Sequence, residues 1–259
     1  LNRKMVFIDT HTHLFLPEFD NDRKQVIENA ILHKVDKMLL PNVDITTVSK
    51  LFEVCRLYPQ NCFPMIGLHP TSVKENYSAD IQIIESILKK EKVIAIGEIG
   101  IDLYWDKSFL KQQQEAFIYQ INLAKKYELP IVIHARESFS EIFDILKLQM
   151  DNKLKGVFHA FTGNFKQAEQ IINWGFKLGI GGIVTFKNSG LDKIVEQVDL
   201  NHIVLETDSP YLPPVPFRGK RNESAYLVKI AEKIAQIKNC SIEEVAERTT
   251  INAKTLFNL

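Results

Sequence analysis

The chain has few cysteines and no surplus of charge. Cys55, Cys62 and Cys240 make an odd set without Cys-x-x-Cys spacing, which argues against a disulfide framework and a thiolate zinc site. Lys+Arg and Asp+Glu balance at 32 each, so no protein-wide field gathers nucleic acid, and any polyanion has to be held by a local patch. No stretch approaches the roughly 18 apolar residues of a membrane span, and the start of the chain shows no apolar secretion core. Low-complexity segments and linkers are missing as well. These absences lead to the expectation of a cytoplasmic protein that needs no membrane and no obligate protein partner. Residues 1–4, ahead of Met5, are given no function.

What is present is an alternation. Short apolar runs, read as strands, fall at 6–9, 37–40, 63–68, 93–98, 131–134, 156–159, 176–180 and 203–206. Between them lie stretches with apolar residues at three- and four-residue spacing, read as helices over 23–34, 45–58, 81–90, 110–127, 139–148, 165–174, 191–198 and 226–237. Asn164 with Gln167, and Ser241 with Glu244, have the spacing of helix N-caps with a reciprocal partner. Eight strand–helix units of about 30 residues suit an α/β fold of the closed (β/α)8 type, the TIM barrel, as a single domain over residues 1–259. An open doubly wound sheet is the alternative, but it concentrates its site at one switch point. Here chemically capable residues end six different strands.

Those endings carry the function. His11 and His13, two apart on an extended backbone, point to one face and can share one ion. Later strands end in His69, Glu98, His134, His159 and Asp208, so five of the seven histidines fall at strand ends. Core-filling histidines would be scattered, as His33 and His202 are expected to be. A barrel brings such ends into one ring. Four imidazoles (His11, His13, His134, His159) and two carboxylates (Glu98, Asp208) exceed what one tetrahedral zinc needs, but suit two divalent ions sharing a carboxylate and a water. Asp208 is then expected to act as both ligand and base. Zinc, manganese and magnesium all remain open as the pair of metals.

At this point the sequence resembles the TatD-like metal-dependent hydrolases, (β/α)8 barrels related to the amidohydrolases and known as divalent-metal deoxyribonucleases. The matching stretches are Asp9-Thr10-His11-Thr12-His13, Gly67-Leu68-His69-Pro70, Gly97-Glu98-Ile99-Gly100-Ile101-Asp102, His134-Ala135-Arg136, His159-Ala160-Phe161-Thr162-Gly163, Gly179-Ile180-Gly181-Gly182 and Glu206-Thr207-Asp208-Ser209-Pro210-Tyr211-Leu212. The resemblance implies that His11, His13 and Asp208 hold one metal, that Glu98 bridges to a second, and that His134 and His159 complete it. His69 is then a residue that supports a ligand from behind or faces the substrate, rather than a ligand itself. One departure is Thr71, where the family often has a further histidine.

The surroundings favour a phosphate. Arg136, Lys187, Arg218, Lys220 and Arg221 are expected near one rim, suited to nonbridging oxygens, although Asp102, Asp106 and Glu137 share that rim. Tyr104, Trp105 and Phe161 can stack on unpaired bases or pack in loops. Gly179, Gly181 and Gly182 lack the spacing of a nucleotide fingerprint and point to close backbone approach. The expected activity is hydrolysis of phosphodiesters at exposed ends of DNA, with single strands and RNA also open as substrates. The same machinery suits an ester or amide, such as the bond cut by a D-aminoacyl-tRNA deacylase. A barrel that binds metal without turnover is a third reading, disfavoured by the intact ligand set.

Overall fold

The computed structural model describes residues 5–259, so residues 1–4 lie outside the described part. Eight strands follow in order: β1 (Phe7–Asp9), β2 (Val35–Pro41), β3 (Cys62–Met65), β4 (Ile96–Asp102), β5 (Ile131–Arg136), β6 (Gly156–Phe158), β7 (Lys177–Ile180) and β8 (Ile203–Leu205). The helices are α1 (Arg23–Leu32), α2 (Val48–Leu57), α3 (Tyr77–Leu88), α4 (Leu110–Tyr127), α5 (Phe139–Gln149), α6 (Phe165–Asn173), α7 (Leu191–Gln197), α8 (Leu227–Lys238) and α9 (Ile242–Phe257). Asn164 caps α6 with the reciprocal Gln167 bond, and Ser241 caps α9 by accepting from the Glu244 N–H at 3.1 Å. No helix among the described residues is long and apolar enough to cross a membrane.

All strand pairings are parallel, running β1-β2-β3 and β4-β5-β6-β7-β8. Bridges between Ile66 and Ile96 and between Thr12 and Ser209 join the two arcs, so the sheet closes into a (β/α)8 barrel. The second seam is reinforced by Asp9. Its buried carboxylate accepts the Thr207 N–H at 2.9 Å and the Thr207 hydroxyl at 2.6 Å, while burial pushes its pKa up to about 7.

Strand alternation divides the core in two. Phe7, Met38, Leu40, Ile133, Phe158, Leu178 and Ile203 face the helices in one large cluster. Ile8, Leu39, Met65, Val132, Val157 and Val204 form a second, inner cluster with Ala253, Leu256 and Phe257 of α9. This helix therefore plugs the end of the barrel at which the strands begin. Side chains two apart on a strand share a face, so the inner row continues from Val132 to His134, from Val157 to His159 and from Val204 to Glu206. The apolar floor and the polar mouth are one alternation, read upward.

Candidate metal centre

The mouth opens on a cavity of about 640 Å³ lined by His13, His69, Glu98, Asp102, His134, Arg136, His159 and Asp208, among others. Glu98 is its hub. The register of β4 against β5 shifts between Ile96 and Ile99, and such an irregularity re-aims a side chain. Glu98 is 2 % exposed and each of its carboxylate oxygens meets a different group of rings. Oε2 lies 3.1 Å from His11 Nε2, whereas Oε1 lies 2.7 Å from His134 Nδ1, 3.2 Å from His159 Nε2 and 3.3 Å from His69 Nε2. On the Oε2 side, Asp208 Oδ1 sits 3.3 Å from His13 Nε2 and 3.8 Å from His11 Nε2. Asp208 reaches this place with φ +56°, a left-handed conformation that Asp tolerates better than most residues. Its N–H is held by the His11 carbonyl at 2.8 Å.

The outer nitrogens decide the tautomers. His13 Nδ1 donates to the Pro41 carbonyl at 3.2 Å, His134 Nε2 to Asp102 at 2.9 Å, and His159 Nδ1 to Glu206 at 3.2 Å. With those protons placed outside, the neutral rings turn bare lone pairs inward, at carboxylate oxygens that are themselves acceptors. Hydrogen-bond donors or cations can fill that space. His11 Nδ1 and Glu206 Oε2 are buried with no hydrogen-bond partner among the described residues. The donor set thus fits divalent metal ions, and ligand atoms within 4.8 Å of one another form the groups His11–His13–Asp208, His11–Glu98–His159 and His69–Glu98–His134.

His69 is built the other way round. It caps a short turn, its Nδ1 accepting the Thr71 N–H at 3.2 Å and facing the Thr71 hydroxyl at 2.7 Å. Burial lowers its pKa, so the ring is neutral with its proton on Nε2, aimed inward as a donor. The backbone N–H at position 71, where this chain departs from the family with Thr71, sets this tautomer, and the Thr71 hydroxyl sits beside it.

Without metal, the charges stabilise one another. Burial opposes ionisation of Glu98, but His159, His69 and His11 outweigh it and hold its pKa well below the carboxylate range. Burial likewise works against charge on His159, yet Glu98 and Glu206 lift its pKa well above the imidazole value. His134 is raised by its bonds to Asp102 and Glu98 despite burial. Asp208 is lowered by the His13 bond and by His159, again against burial. His11 moves down, through burial and the charge of His159, whose ring stacks on it at 3.7 Å.

The rim separates the cations expected there. Arg136 lines the cavity, but Arg218, Lys220, Arg221 and Lys187 do not. The Arg221 guanidinium grips Asp22 through two bonds of 2.9 and 2.6 Å, and also bonds Glu223 and the Glu18 carbonyl. It is a clamp between the loop after β8 and the start of α1, with four of its five N–H groups already committed. Arg218 lies over the Phe186 ring at 4.0 Å, and Lys220 is exposed beside it. Phe161 is buried against Phe139 and cannot stack on a base. Gly179 does give close approach, since a Cβ there would collide with the Glu206 carboxylate, whereas Gly181 has ordinary space. Sequence reasoning gave no role to Asp102 and Glu206, which orient His134 and His159. The available signal was position: Asp102 is four residues past Glu98, and Glu206 two before Asp208, in strands already marked as chemical.

Arg221→Ala is expected to lower stability by about 1–2 kcal/mol, the scale of a well-formed, partly exposed bidentate pair, with KM unchanged. Arg221 holds Asp22 below the usual carboxylate range, so this stabilisation is present above the unfolded carboxylate pKa and is lost as pH falls through the folded one. Denaturant melts of both proteins at neutral and acid pH check this; a raised KM with unchanged stability would return Arg221 to the substrate.

A (β/α)8 barrel with two carboxylates and a ring of inward imidazoles at its mouth defines a metal-dependent hydrolase. The chain belongs to the TatD-related DNase family, whose sequence model matches residues 8–258. It is 39% identical over 255 residues to YabD of Bacillus subtilis, an uncharacterized metal-dependent hydrolase, covering 98% of this chain and 100% of that protein. The crystal structure of YjjV, a TatD homolog from Escherichia coli K12, superposes with a TM-score of 0.92 at 28% identity, covering 98% of each chain. A TatD family hydrolase from Entamoeba histolytica shares the fold at TM-score 0.84 and 23% identity, covering 98% of this chain and 99% of that one.

Proposed function

We propose that the protein hydrolyses phosphodiester bonds of DNA from exposed ends, using two divalent metal ions at the barrel mouth. The observation that carries this reading is Glu98, whose two oxygens face separate imidazole groups 3.1 Å and 2.7 Å away. His11, His13 and Asp208 would hold one ion, His134 and His159 the other, with Glu98 shared. Bound ions of this kind lower the proton affinity of a water and offset charge gathering on phosphoryl oxygen.

The chain's own groups supply the rest. Asp208, open to the cavity and ionised, accepts the proton of the attacking water at Oδ1. His69 presents Nε2–H to the leaving oxygen, with Thr71 fixing that proton in place. Arg136 is the cation at the rim able to meet a nonbridging phosphate oxygen. Asp102 and Glu206 keep the ring orientations on which the other contacts depend.

Chelation is expected to abolish cleavage of an end-labelled oligonucleotide, and zinc, manganese or magnesium added back is expected to restore it. Run beside an aminoacyl ester, the assay separates substrates: restored ester hydrolysis without any oligonucleotide cleavage would replace the phosphodiester reading by the deacylase one.

A further inference from the structure

Beside the metal centre the chain leaves aromatic surface in water that the hydrolytic groups do not use. After β4 ends at Asp102 the backbone turns out, with Tyr104 50% and Trp105 69% exposed. The turn is pinned, since the buried Asp102 carboxylate accepts the N–H of Tyr104 at 3.0 Å and of Trp105 at 3.3 Å while also holding His134. The two rings meet edge to face at 4.9 Å. On the adjacent strand, in register with Asp102, Arg136 lays its guanidinium 3.8 Å over the Tyr104 ring and 5.3 Å from that of Trp105.

Three features give this shelf a ligand class. Trp105 and Arg136 line the same cavity as Asp208 and His69, so whatever rests on them is continuous with the reacting group. The neighbouring acids are engaged, Asp106 with Lys74 at 3.7 Å and Glu137 with Lys107 at 3.9 Å, while Arg136 has no carboxylate partner among the described residues. Finally, an open indole face beside an unpaired cation matches the repeat of a polynucleotide, one flat base and one anionic phosphate per unit.

We infer that Trp105 and Arg136 form a nucleotide subsite next to the scissile bond, an assignment that rests on reading the mouth as a phosphodiesterase. The indole stacks one base and the guanidinium takes a phosphate of the same strand. A base within a duplex has both faces covered by its neighbours, so the shelf selects unpaired ends, and stacking makes it tolerant of base identity.

Fluorescence tests this directly. The chain has two tryptophans, and Trp174 packs edge-on against Phe143 away from the cavity. Trp174→Phe therefore leaves Trp105 as the reporter, and Asp208→Asn in the same zinc-loaded chain prevents turnover. Hexathymidylate is expected to quench the emission at concentrations about tenfold or more below those needed by the same hexamer made of abasic sugars. In the cleavage assay the preference for the base-bearing hexamer is expected to collapse in Trp105→Ala and to return in Trp105→Phe. Oligonucleotide cleavage with Trp105 unquenched and the two hexamers bound equally overturns the subsite and leaves the phosphodiesterase reading standing. Binding and cleavage of neither hexamer, with an aminoacyl ester hydrolysed, overturns both.

Discussion

Asp208→Asn is expected to reduce phosphodiester hydrolysis by about three orders of magnitude or more without unfolding the protein. The amide has nearly the shape of the carboxylate, and the backbone that aims it is held by the His11 carbonyl rather than by the side chain. What disappears is the basic oxygen facing His13 at 3.3 Å, together with the negative charge that faces His11 and His13 from the Asp208 side. Loss of a positioned general base typically costs 10²–10⁴ in rate, and a weakened metal site adds to that. Turnover of an oligonucleotide by the metal-loaded variant, alongside its thermal melt, measures both halves. Activity within tenfold of the parent would sink the role assigned to Asp208.

Glu98→Gln is expected to be as damaging to activity, and to show first in metal content. Both Glu98 oxygens face imidazole nitrogens, so an amide puts an N–H₂, which has no lone pair for a cation, where one of the two candidate ligand groups uses an oxygen. After dialysis, metal analysis is expected to find no more than one tightly held ion per chain, against two in the parent. Two retained ions would mean that Glu98 bridges nothing. The pH dependence has a definite sign. In the metal-free protein His134 and His159 are raised above the imidazole value, so protons compete with metal for them. Metal affinity is expected to decline as pH falls, beginning above the ordinary histidine range.

The barrel was legible because each strand–helix unit repeats the same two periodicities, and α4 has the bounds 110–127 read from the sequence. Errors fell where chemistry replaces apolar residues. The strand read over 93–98 runs Ile96–Asp102, since Gly100 and Asp102 continue the ladder without a hydrophobic signature. The helix read over 81–90 begins at Tyr77 because its first turn, with Ser78 and Asp80, looks like loop.

Among side chains, the six at the strand ends could be named because imidazole and carboxylate in that order have few other uses. Asp102 and Glu206 could not be given their roles, since the rings they hold are 32 and 47 residues away. Arg221 shows the converse. A loop cation reads alike whether it meets phosphate or a carboxylate 199 residues earlier.

The α9 plug carries a consequence for synthesis. Every residue of the mouth leaves the ribosome before Ala253, Leu256 and Phe257, which complete the inner cluster. Until they arrive, the valines have only one another, Ile8, Leu39, Met65 and Ala95 to pack against, with the underside of that cluster uncovered. Sealing of the barrel floor thus waits for α9 to be made, and nascent chains halted before it would carry the reactive groups of the mouth on an unsealed scaffold.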